Sequence, residues 1–305
     1  MERSRLIIHP APPFHFGFTA YSHGWVVLAP NAWDDEHKAV CRVQHLGSGQ
    51  VVRLYVTGSM SVDEPCIAIE VDHIQPFTKV DRAEILVAVR HMFRVDEDLG
   101  EFYALCIERG GRWAKLAGGL GRLLRSPTLF EDMVKTICTT NIQWGGTKRM
   151  VREVVEAFGE SFPGDPSLKA FPTPESIASV SEETFVDAVR LGYRGPFVYE
   201  LAVHVASGDL DLDAFWDADI STADLKKRLL KIKGVGNYAA ATLLMILGRY
   251  DELAVDTVFR QFVSKKYFDS GRPTDGEARA VYDVWDRWKY LAYWFDIWEG
   301  FEEKL

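Results

Sequence analysis

The amino-terminal quarter of the chain carries the alternation of apolar and polar positions that is typical of β-strands. Residues 14–21 (FHFGFTAY) alternate aromatic and small side chains, and after a Ser-His-Gly turn residues 25–30 (WVVLAP) are predicted to return as their partner strand. Residues 41–46 and 51–58 predict a second hairpin across a Gly-Ser-Gly-Gln turn, and residues 66–71 predict one more strand. About five strands joined by hairpins indicate an antiparallel sheet.

Further along the chain the apolar positions recur with the period of an α-helix. In residues 128–138 they fall at i, i+3, i+4, i+7 and i+8, which places them on one face of a helix. A polar interruption leads to a second predicted helix over residues 148–159, and the proline-rich residues 161–174 are predicted to form a connector. We therefore predict an α+β fold, in which an antiparallel β-sheet domain over residues 1–80 precedes an all-α domain over residues 81–305.

Composition places the chain among ordinary globular proteins. Of its 305 residues 47% are hydrophobic and 26% are charged, which excludes a disordered or collagen-like chain. The longest nearly unbroken apolar run, residues 239–247, has nine residues and is too short to span a bilayer. The cysteines form no Cys-x-x-Cys pair, so we expect no iron–sulfur cluster and no zinc ribbon, and isolated thiols suit a reducing, intracellular compartment. These four residues are Cys41, Cys66, Cys106 and Cys138.

The distribution of charge matters more than its sum. The chain has 35 basic and 44 acidic residues, and the net charge of −9 argues against a protein that coats nucleic acid. Two local basic clusters, over residues 109–125 and 226–233, nevertheless offer the positive faces that phosphates need. Each cluster on its own is equally well explained as a solvated helix face, and that alternative stays open at this point.

The most informative stretch joins two predicted helices by a Gly-Val-Gly turn. The first helix is predicted from Thr222, a residue type favoured as N-cap, through Ile232, and the second from Asn237 to Leu247. Glycine permits positive φ and lets a phosphate approach the backbone, while the second helix directs its unpaired N–H groups and positive dipole end at the same point. This arrangement suits binding of a DNA backbone without readout of sequence, but any tight turn between two helices can carry Gly-Val-Gly, and that alternative stays open here.

An aspartate lies in an apolar segment shortly after the hairpin. Asp256 follows Gly236 by 20 residues, in the run Leu-Ala-Val-Asp-Thr-Val. A carboxylate among apolar neighbours is costly unless it is paired, caps a helix or serves chemistry. Asp256 also suits the N-cap position of a helix that begins at Thr257, and the two roles are compatible, because a cap uses one carboxylate oxygen and leaves the other.

At these residues the chain resembles the helix–hairpin–helix superfamily of DNA glycosylases. Residues 229–260 (LLKIKGVGNYAAATLLMILGRYDELAVDTVFR) are similar to the family's glycine hairpin, apolar helix and Val-Asp-Thr signature. Residues 130–159 and 190–202 resemble segments of the 8-oxoguanine and 3-methyladenine branches, and residues 284–298 resemble the tryptophan-rich tail of the 3-methyladenine glycosylase II branch. The resemblance implies a helical catalytic domain behind a sheet domain similar to the TATA-binding protein.

The resemblance implies a mechanism, and the departures from the family pattern refine it. Asp256 stands at the catalytic carboxylate, whereas Tyr238 occupies the position at which bifunctional members carry the lysine that forms a Schiff base. Without that amine, we expect hydrolysis of the N-glycosidic bond and no cleavage of the DNA strand. Lys233 replaces the family's proline and, with Lys231, is expected to face phosphate, although a residual lyase activity from these two lysines stays open.

The resemblance also implies which residues contact DNA. Asn141 to Gln143 would fill the gap left by an extruded base, unless they only cap neighbouring helices. The tail tryptophans would stack on a cationic base, unless they belong to the core; two pairs of them fall on opposite sides of a helix, so the helix either breaks between the pairs or is buried all round. The residues implied to line the base pocket are Tyr238, Trp144, Trp285 and Trp288. The residues implied to bind DNA are Lys233, Gly234, Val235, Gly236, Asn237, Asn141, Ile142 and Gln143.

These assignments lead to expectations about ligands and partners. We expect double-stranded DNA containing a damaged base as the partner, a monomeric protein without membrane association, and a location in the cytoplasm with the nucleoid. We expect no cofactor and no metal held by side chains, because no histidines stand at His-x-His or His-x-x-x-His spacing. Backbone carbonyls near Gly234 and Gly236 are a candidate site for a structural Na⁺ or K⁺.

The identity of the damaged base stays open from the sequence. An alkylated purine is favoured, because a base that is already cationic leaves with the help of one carboxylate. The segment TICTTNIQ (136–143) is closer to the 8-oxoguanine branch, and a tyrosine in place of the lysine also occurs in thymine-mismatch glycosylases. 8-Oxoguanine and deaminated or mismatched bases (uracil, thymine) are therefore alternatives, and a non-catalytic protein that binds damaged DNA is the alternative of another class.

Overall fold

A five-stranded antiparallel sheet forms the amino-terminal part of the molecule. The computed structural model describes residues 1–299. The strands lie in the order β1-β5-β4-β3-β2 and every neighbouring pair is antiparallel, which confirms the predicted sheet. The predicted second hairpin is β3–β4, and the first strand completes the sheet by pairing with the fifth, with Ile8 opposite Ile67. The strands are Glu2–Ile8 (β1), Ala32–Asp34 (β2), Ala39–His45 (β3), Val51–Gly58 (β4) and Ile67–His73 (β5).

The predicted first hairpin is wrong. FHFGFTAY and WVVLAP form a short helix, α1 (Phe16–Tyr21), and a 3-10 turn, and the sheet takes its remaining strands from β1 and β2. The imidazole of His15 caps α1, because its Nδ1 accepts a 3.2 Å hydrogen bond from the Phe18 amide. Phe16 is buried and its ring stacks on Phe93 with 4.9 Å between centroids. The alternating aromatic residues therefore reflect burial around a short capped helix.

The chain divides into two compact units, Met1–Leu210 and Asp211–Leu305, which we call the first and the second unit. The sheet shares the first unit with helices, the five-stranded sheet ends before α2, and the role of residue 80 as a domain boundary stays a prediction. The helices of the first unit are α1, Lys79–Met92 (α2), Gly100–Arg109 (α3), Gly111–Leu116 (α4), Leu129–Thr139 (α5), Trp144–Phe158 (α6), Pro174–Ala178 (α7), Glu182–Ala188 (α8) and Gly195–Ala206 (α9). Those of the second unit are Thr222–Leu229 (α10), Asn237–Ile246 (α11), Thr257–Tyr267 (α12), Asp275–Ala280 (α13) and Lys289–Ile297 (α14).

The helices predicted before and after the polar interruption are present as α5 and α6. Thr128 caps α5, with its hydroxyl accepting a 3.3 Å hydrogen bond from the Glu131 amide. Ten consecutive residues of α5 are buried, from Leu129 to Cys138, so this helix lies in the interior of the first unit. Within residues 1–299, no helix combines the length and the apolar character that a membrane crossing requires.

A short hairpin interrupts the region predicted to be all-α, and that expectation is wrong here. Phe162 and Ala170 of the proline-rich segment pack with Val43 and Val51 of the large sheet. These valines would otherwise expose apolar surface to water, so covering them stabilises the hairpin. Its strands are Ser161–Phe162 (β6) and Asp165–Lys169 (β7).

Charged side chains join the sheet to α5 in the interior of the first unit. Arg42 of β3 and Glu131 of α5 form a buried ion pair of 2.8 Å, and Lys135 donates to the same carboxylate at 2.6 Å. Burial alone would raise the pKa of Glu131, but the charges of Arg42 and Lys135 outweigh it and hold that pKa at about 2. Because removing one partner would leave a buried charge uncompensated, the cluster fixes this contact between strand and helix.

Two arginines of the first basic cluster (residues 109–125) form hydrogen bonds in the interior of the first unit, so the cluster as a whole is not a phosphate-binding surface. The irregular segment 119–126 is buried almost throughout. Arg122 donates to the Arg94 carbonyl (3.1 Å), and Arg125 donates to the His91 carbonyl (2.8 Å). These guanidinium groups satisfy backbone oxygens where two irregular segments pack together, which removes them from the set of surface cations.

Candidate active site and nucleic-acid interface

The predicted helix–hairpin–helix is formed by α10 and α11 of the second unit. Ser221, not Thr222, caps α10, because its hydroxyl accepts a 3.1 Å hydrogen bond from the Asp224 amide. The helix ends at Leu229, earlier than predicted, and hydrogen-bonded turns continue the chain to the hairpin. Lys233, where the family has proline, is exposed at the start of the hairpin.

The two hairpin glycines serve different purposes. Gly234 has φ +85°, a left-handed conformation that glycine adopts without strain. Gly236 is extended (φ −88°, ψ −174°), and a Cβ added there would meet no atom within 4 Å. Val235 between them is buried. The backbone at Gly236 therefore faces open space, as the close approach of a phosphate requires.

The amino terminus of α11 suits an anion. Gly236 is the N-cap and has no side chain, so no capping side chain accepts hydrogen bonds from the first-turn amides. Asn237 and Tyr238 are exposed, whereas every residue from Ala239 to Ile246 is buried. The positive end of the helix dipole thus lies at the surface while the body of the helix is held in the core.

The second basic cluster is divided between ion pairs and exposed cations. Lys226 pairs with Glu252, and Lys227 pairs with an aspartate of its own helix. Arg228 and Lys231 are exposed, and neither forms an ion pair with any residue that the structure describes. These two cations on the first helix and the hairpin are therefore available to phosphate.

Asp256 caps the helix that follows the hairpin module. Its Oδ1 accepts a 2.7 Å hydrogen bond from the Phe259 amide, and the side chain is half-buried at the start of α12. Among residues 1–299, no side chain hydrogen-bonds or forms an ion pair with its Oδ2. The cap thus fixes the carboxylate while one oxygen keeps its capacity to interact with a ligand.

Two buried tyrosines of α14 lie beside this carboxylate, and the sequence analysis did not single them out. Burial and then the charge of Asp256 raise the pKa of the Tyr293 phenol. Burial, followed by the neighbouring Tyr238 and Tyr293 side chains, raises the pKa of the Tyr290 phenol. The Tyr293 ring packs edge to face on Phe259, with 5.0 Å between centroids. The surroundings of Asp256 are therefore aromatic, with phenols that stay neutral.

The tyrosine at the position of the family's lysine is exposed, whereas the tail tryptophans are not. Tyr238 is 42% exposed, but Trp285 and Trp288 are only 3% and 4% exposed. Trp288 stacks on Tyr250, with 5.6 Å between ring centroids. The helix breaks at Asp286 (φ +48°, ψ −125°), which lies between Trp285 and Trp288, within the first tryptophan pair and not between it and the second pair, Trp294 and Trp298. This packing favours the core alternative for Trp285 and Trp288, and their role in a base pocket stays a prediction.

The turn between α5 and α6 belongs to the first unit and is braced by neighbouring side chains. Asn141 has φ +48° and donates from Nδ2 to the Tyr193 hydroxyl at 3.2 Å. Arg194 donates to the Thr140 hydroxyl at 3.2 Å and also to its carbonyl. Ile142 is 40% exposed. The turn borders a shallow depression of about 570 Å³ lined by Asn141, Ile142, Gln143 and Gly146.

Trp144 follows this turn and opens α6. The indole is 39% exposed and packs on Gly24, at which a Cβ would lie 2.8 Å from the ring. Gly24 itself has φ +89°, so both conformation and space call for glycine there. The structure places Trp144 in the first unit with the braced turn, and places Tyr238 and Asp256 in the second; the assignment of Trp144 to a base pocket stays a prediction.

Metal ligation by side chains finds no support in the described residues. Within residues 1–299, no three His, Cys, Asp or Glu side chains lie close enough together to hold a metal ion. The four cysteines are free thiols, two half-buried and two buried. The cation proposed at the hairpin carbonyls stays a prediction.

Comparison with known proteins agrees with this geometry. The family model of the HhH-GPD superfamily of base excision DNA repair proteins matches residues 134–287, which is half of the chain. A DNA-3-methyladenine glycosylase of Bacillus subtilis is 24% identical over 270 residues and covers 86% of both chains. The family match includes the braced turn, the hairpin and Asp256.

Solved structures share the fold over nearly the whole length. The 3-methyladenine DNA glycosylase of Archaeoglobus fulgidus aligns with a TM-score of 0.72 at 19% identity and covers 99% of both chains. The 8-oxoguanine glycosylase/lyase of Clostridium acetobutylicum, in complex with double-stranded DNA, aligns with a TM-score of 0.69 at 16% identity over 100% of this chain and 98% of that one. At such identities the likeness concerns the fold.

Proposed function

The chain belongs to the HhH-GPD superfamily of base excision DNA repair proteins and is a DNA glycosylase of that class, and on this premise we propose that it acts by hydrolysis alone on alkylated purines. The observation that carries the proposal is the state of Asp256. One of its oxygens is fixed by the Phe259 amide, and the other has no protein partner within residues 1–299. Neither an amine nor a cation of the described protein pairs with this carboxylate.

The chemistry follows from a fixed carboxylate beside an extruded nucleoside. The bond between C1′ and the base nitrogen breaks, the base leaves with the electron pair, and C1′ acquires positive charge. Asp256 stabilises that charge, and a water molecule then adds to C1′ and gives up a proton. A covalent route through a Schiff base would require an amine at the position of Tyr238, and a phenol cannot form one.

The preference for an alkylated purine rests on charge. A purine alkylated at N3 or N7 is cationic, so it leaves as a neutral molecule and needs no general acid. Tyr290 and Tyr293 lie near the carboxylate, and Tyr238 lies near these two tyrosines. Aromatic rings attract a cation through their π-faces. The similarity to a DNA-3-methyladenine glycosylase points to the same substrate class.

The hairpin is proposed to hold the DNA backbone while the base is extruded. The amides at the amino terminus of α11 would bind a phosphate, with Arg228 and Lys231 beside them. Asn141, Ile142 and Gln143 would fill the gap in the stack, because the braced turn presents them at the surface. Action as a monomer on damaged double-stranded DNA in the cytoplasm, with the nucleoid, belongs to the same proposal.

The test is a panel of duplexes scored for release of free base by wild-type protein and by Asp256→Asn. The panel contains 3-methyladenine, 7-methylguanine, 8-oxoguanine, hypoxanthine, uracil and a G·T mismatch. We expect release of the two alkylated purines, and in Asp256→Asn a rate at least about 10³-fold lower with unchanged affinity for abasic-site DNA. Wild-type turnover by Asp256→Asn would refute the catalytic assignment.

8-Oxoguanine is the second candidate substrate, favoured by the fold shared with an 8-oxoguanine glycosylase/lyase. This base is neutral, so its release needs a proton donor that an alkylated purine does not. Release of 8-oxoguanine with no release of 7-methylguanine would select this alternative. Borohydride added during turnover tests for a lyase, since a covalent protein–DNA adduct would assign an amine, such as Lys231 or Lys233, to the reaction.

A further inference from the structure

The segment that carries Asp256 has no regular structure of its own. It runs from Gly248 to Asp256, between α11 and α12, without helix or strand. Arg249 donates to the carbonyls of Asp217 (3.1 Å) and Ala218 (3.2 Å), which anchors the start of the segment. At its end the bond with the Phe259 amide is, within residues 1–299, the only hydrogen bond to the carboxylate. Between these points the Tyr250 carbonyl accepts a 2.8 Å hydrogen bond from the Tyr290 amide, and side chains that contact Asp251 and Glu252 add to this anchor.

Helix α10 supplies two of these contacts to consecutive residues. The Thr222 hydroxyl donates to Oδ1 of Asp251 at 2.9 Å, and the Lys226 ammonium forms an ion pair with Oε1 of Glu252. Thr222 and Lys226 are four residues apart and thus lie on the same face of α10. Both contacts hold the segment against the helix that leads into the hairpin.

A second cation, from a helix later in the chain, also contacts Glu252. Arg279, at the end of α13, lies with Nη1 3.5 Å from the same Oε1 that binds Lys226. The Glu252 and Lys226 side chains are 23% and 24% exposed, so this pair is more shielded from solvent than a typical surface ion pair. One carboxylate oxygen thus joins α10, α13 and the segment of Asp256.

We infer that Glu252 is a positioning residue for the glycosidic cleavage, which rests on the proposed role of Asp256. Glu252 touches neither DNA nor base; it holds the segment of Asp256 on α10, the first helix of the phosphate-binding hairpin. The hairpin proposed to hold DNA and the carboxylate proposed to act on the sugar are consequently connected through α10. Loss of the ion pair leaves the grip intact and lets the carboxylate move relative to the deoxyribose.

The experiment compares Glu252→Gln with wild-type protein on a duplex containing 7-methylguanine. We expect the single-turnover rate of base release to fall on the order of tenfold, because small displacements of a reacting group are costly. The affinity for abasic-site DNA should stay unchanged, since the α11 amides, Arg228 and Lys231 are untouched. Thr222→Val, which removes the neighbouring hydroxyl, should act in the same direction.

Asp283→Asn is the matched control. It removes another lysine–carboxylate pair of the second unit, that of Lys289 and Asp283 at 2.7 Å, without touching the segment. We expect a wild-type rate from this control. A wild-type rate for Glu252→Gln, or a loss of rate matched by an equal loss of DNA affinity, overturns the inference. If instead Asp256→Asn is fully active, the proposed function itself fails.

Discussion

At the scale of single residues, the proposal of hydrolysis without a covalent intermediate rests on two side chains of the second unit. Asp256 is held as an N-cap with one oxygen available, and Tyr238 presents an exposed phenol at the start of α11. A phenol neither forms a Schiff base with C1′ nor carries a positive charge at neutral pH. The hydroxyls of Tyr290 and Tyr293 stay protonated, since burial raises the pKa of both phenols and the charge of Asp256 adds to the effect at Tyr293.

Tyr238→Lys should therefore convert part of the turnover to a covalent route. The new amine attacks C1′, displaces the base and forms a Schiff base, which borohydride reduces to a stable protein–DNA adduct. We expect adduct formation with this variant and none with wild-type protein, measured by gel shift after denaturation. Tyr238→Gln is the matched control, because it also removes the ring but supplies no nucleophile. The same yield of adduct from the lysine and glutamine variants would show that another amine reacts.

The aspartate that we propose to be catalytic could be found from the sequence, but its aromatic surroundings could not. Asp256 follows Gly236 of the hairpin by 20 residues within one motif, so it can be recognised from the sequence alone. Tyr290 and Tyr293 reach Asp256 only because α14 packs against α12, a contact between distant segments. The tail tryptophans are candidates for a base pocket because several occur within a short stretch of sequence, yet Trp285 and Trp288 are buried.

At the scale of the element, the two hairpin glycines are needed for different reasons, one for its backbone conformation and the other for the space that it leaves. Gly234 requires positive φ, whereas Gly236 has an ordinary extended backbone and open space where a Cβ would lie. Substituting the first should affect folding, and substituting the second should affect only what approaches from outside. The two glycines of one short turn therefore give a test with an internal control.

We expect Gly234→Ala to lower the free energy of unfolding by ~1–2 kcal/mol, the cost of a left-handed backbone for an L-residue. Gly236→Ala should leave stability unchanged but weaken DNA binding about tenfold, since its methyl group would hold a phosphate away from the α11 amides. Chemical denaturation and fluorescence anisotropy with abasic-site DNA measure the two effects. Wild-type DNA affinity in Gly236→Ala would show that no phosphate approaches there.

The length of an element, and whether its contacts are local or distant, decide whether the sequence reveals it. The helices α5, α6, α10 and α11 have long periodic patterns or glycine boundaries, and each is present close to its predicted bounds. The segment of α1 is too short to complete an apolar period, so its aromatic alternation imitates a strand, and only the His15 cap identifies it as helix. The β6–β7 hairpin is stabilised by packing on a sheet surface that is distant in sequence, so no local pattern predicts it.

At the scale of the whole molecule, part of the positive charge is engaged in buried contacts and ion pairs. The net charge is −9, Arg122 and Arg125 bind carbonyls of the interior, and Lys226 is engaged in an ion pair. Arg228 and Lys231 are exposed, and together with the backbone amides of α11 they are the groups that we propose to bind phosphate. An acidic protein can thus bind DNA locally, because the affinity depends on a few positions and not on total charge.

Two histidines of the first unit make the stability of the fold depend on pH. Burial lowers the pKa of His23 from 6.5 to about 3, although its ring hydrogen-bonds the Leu124 carbonyl. Burial and the charges of Arg125 and Arg94 lower the pKa of His91 to about 3 as well. Below pH 6.5 the unfolded chain therefore binds protons that the folded chain does not, and the free energy of unfolding falls as the pH decreases toward 3.

Each histidine should remove about 1.4 kcal/mol per pH unit within that window, so unfolding by urea should require about 3 kcal/mol less at pH 5.5 than at pH 7.5. Above pH 5 the buried Glu131 adds little, because its own pKa moves from 4.5 to about 2 and its stabilising effect is lost only in more acidic solution. His23→Gln keeps a hydrogen-bond donor for the Leu124 carbonyl but does not titrate. It should show about half of the wild-type pH dependence, and an undiminished dependence in this variant would mean that the protons bind elsewhere.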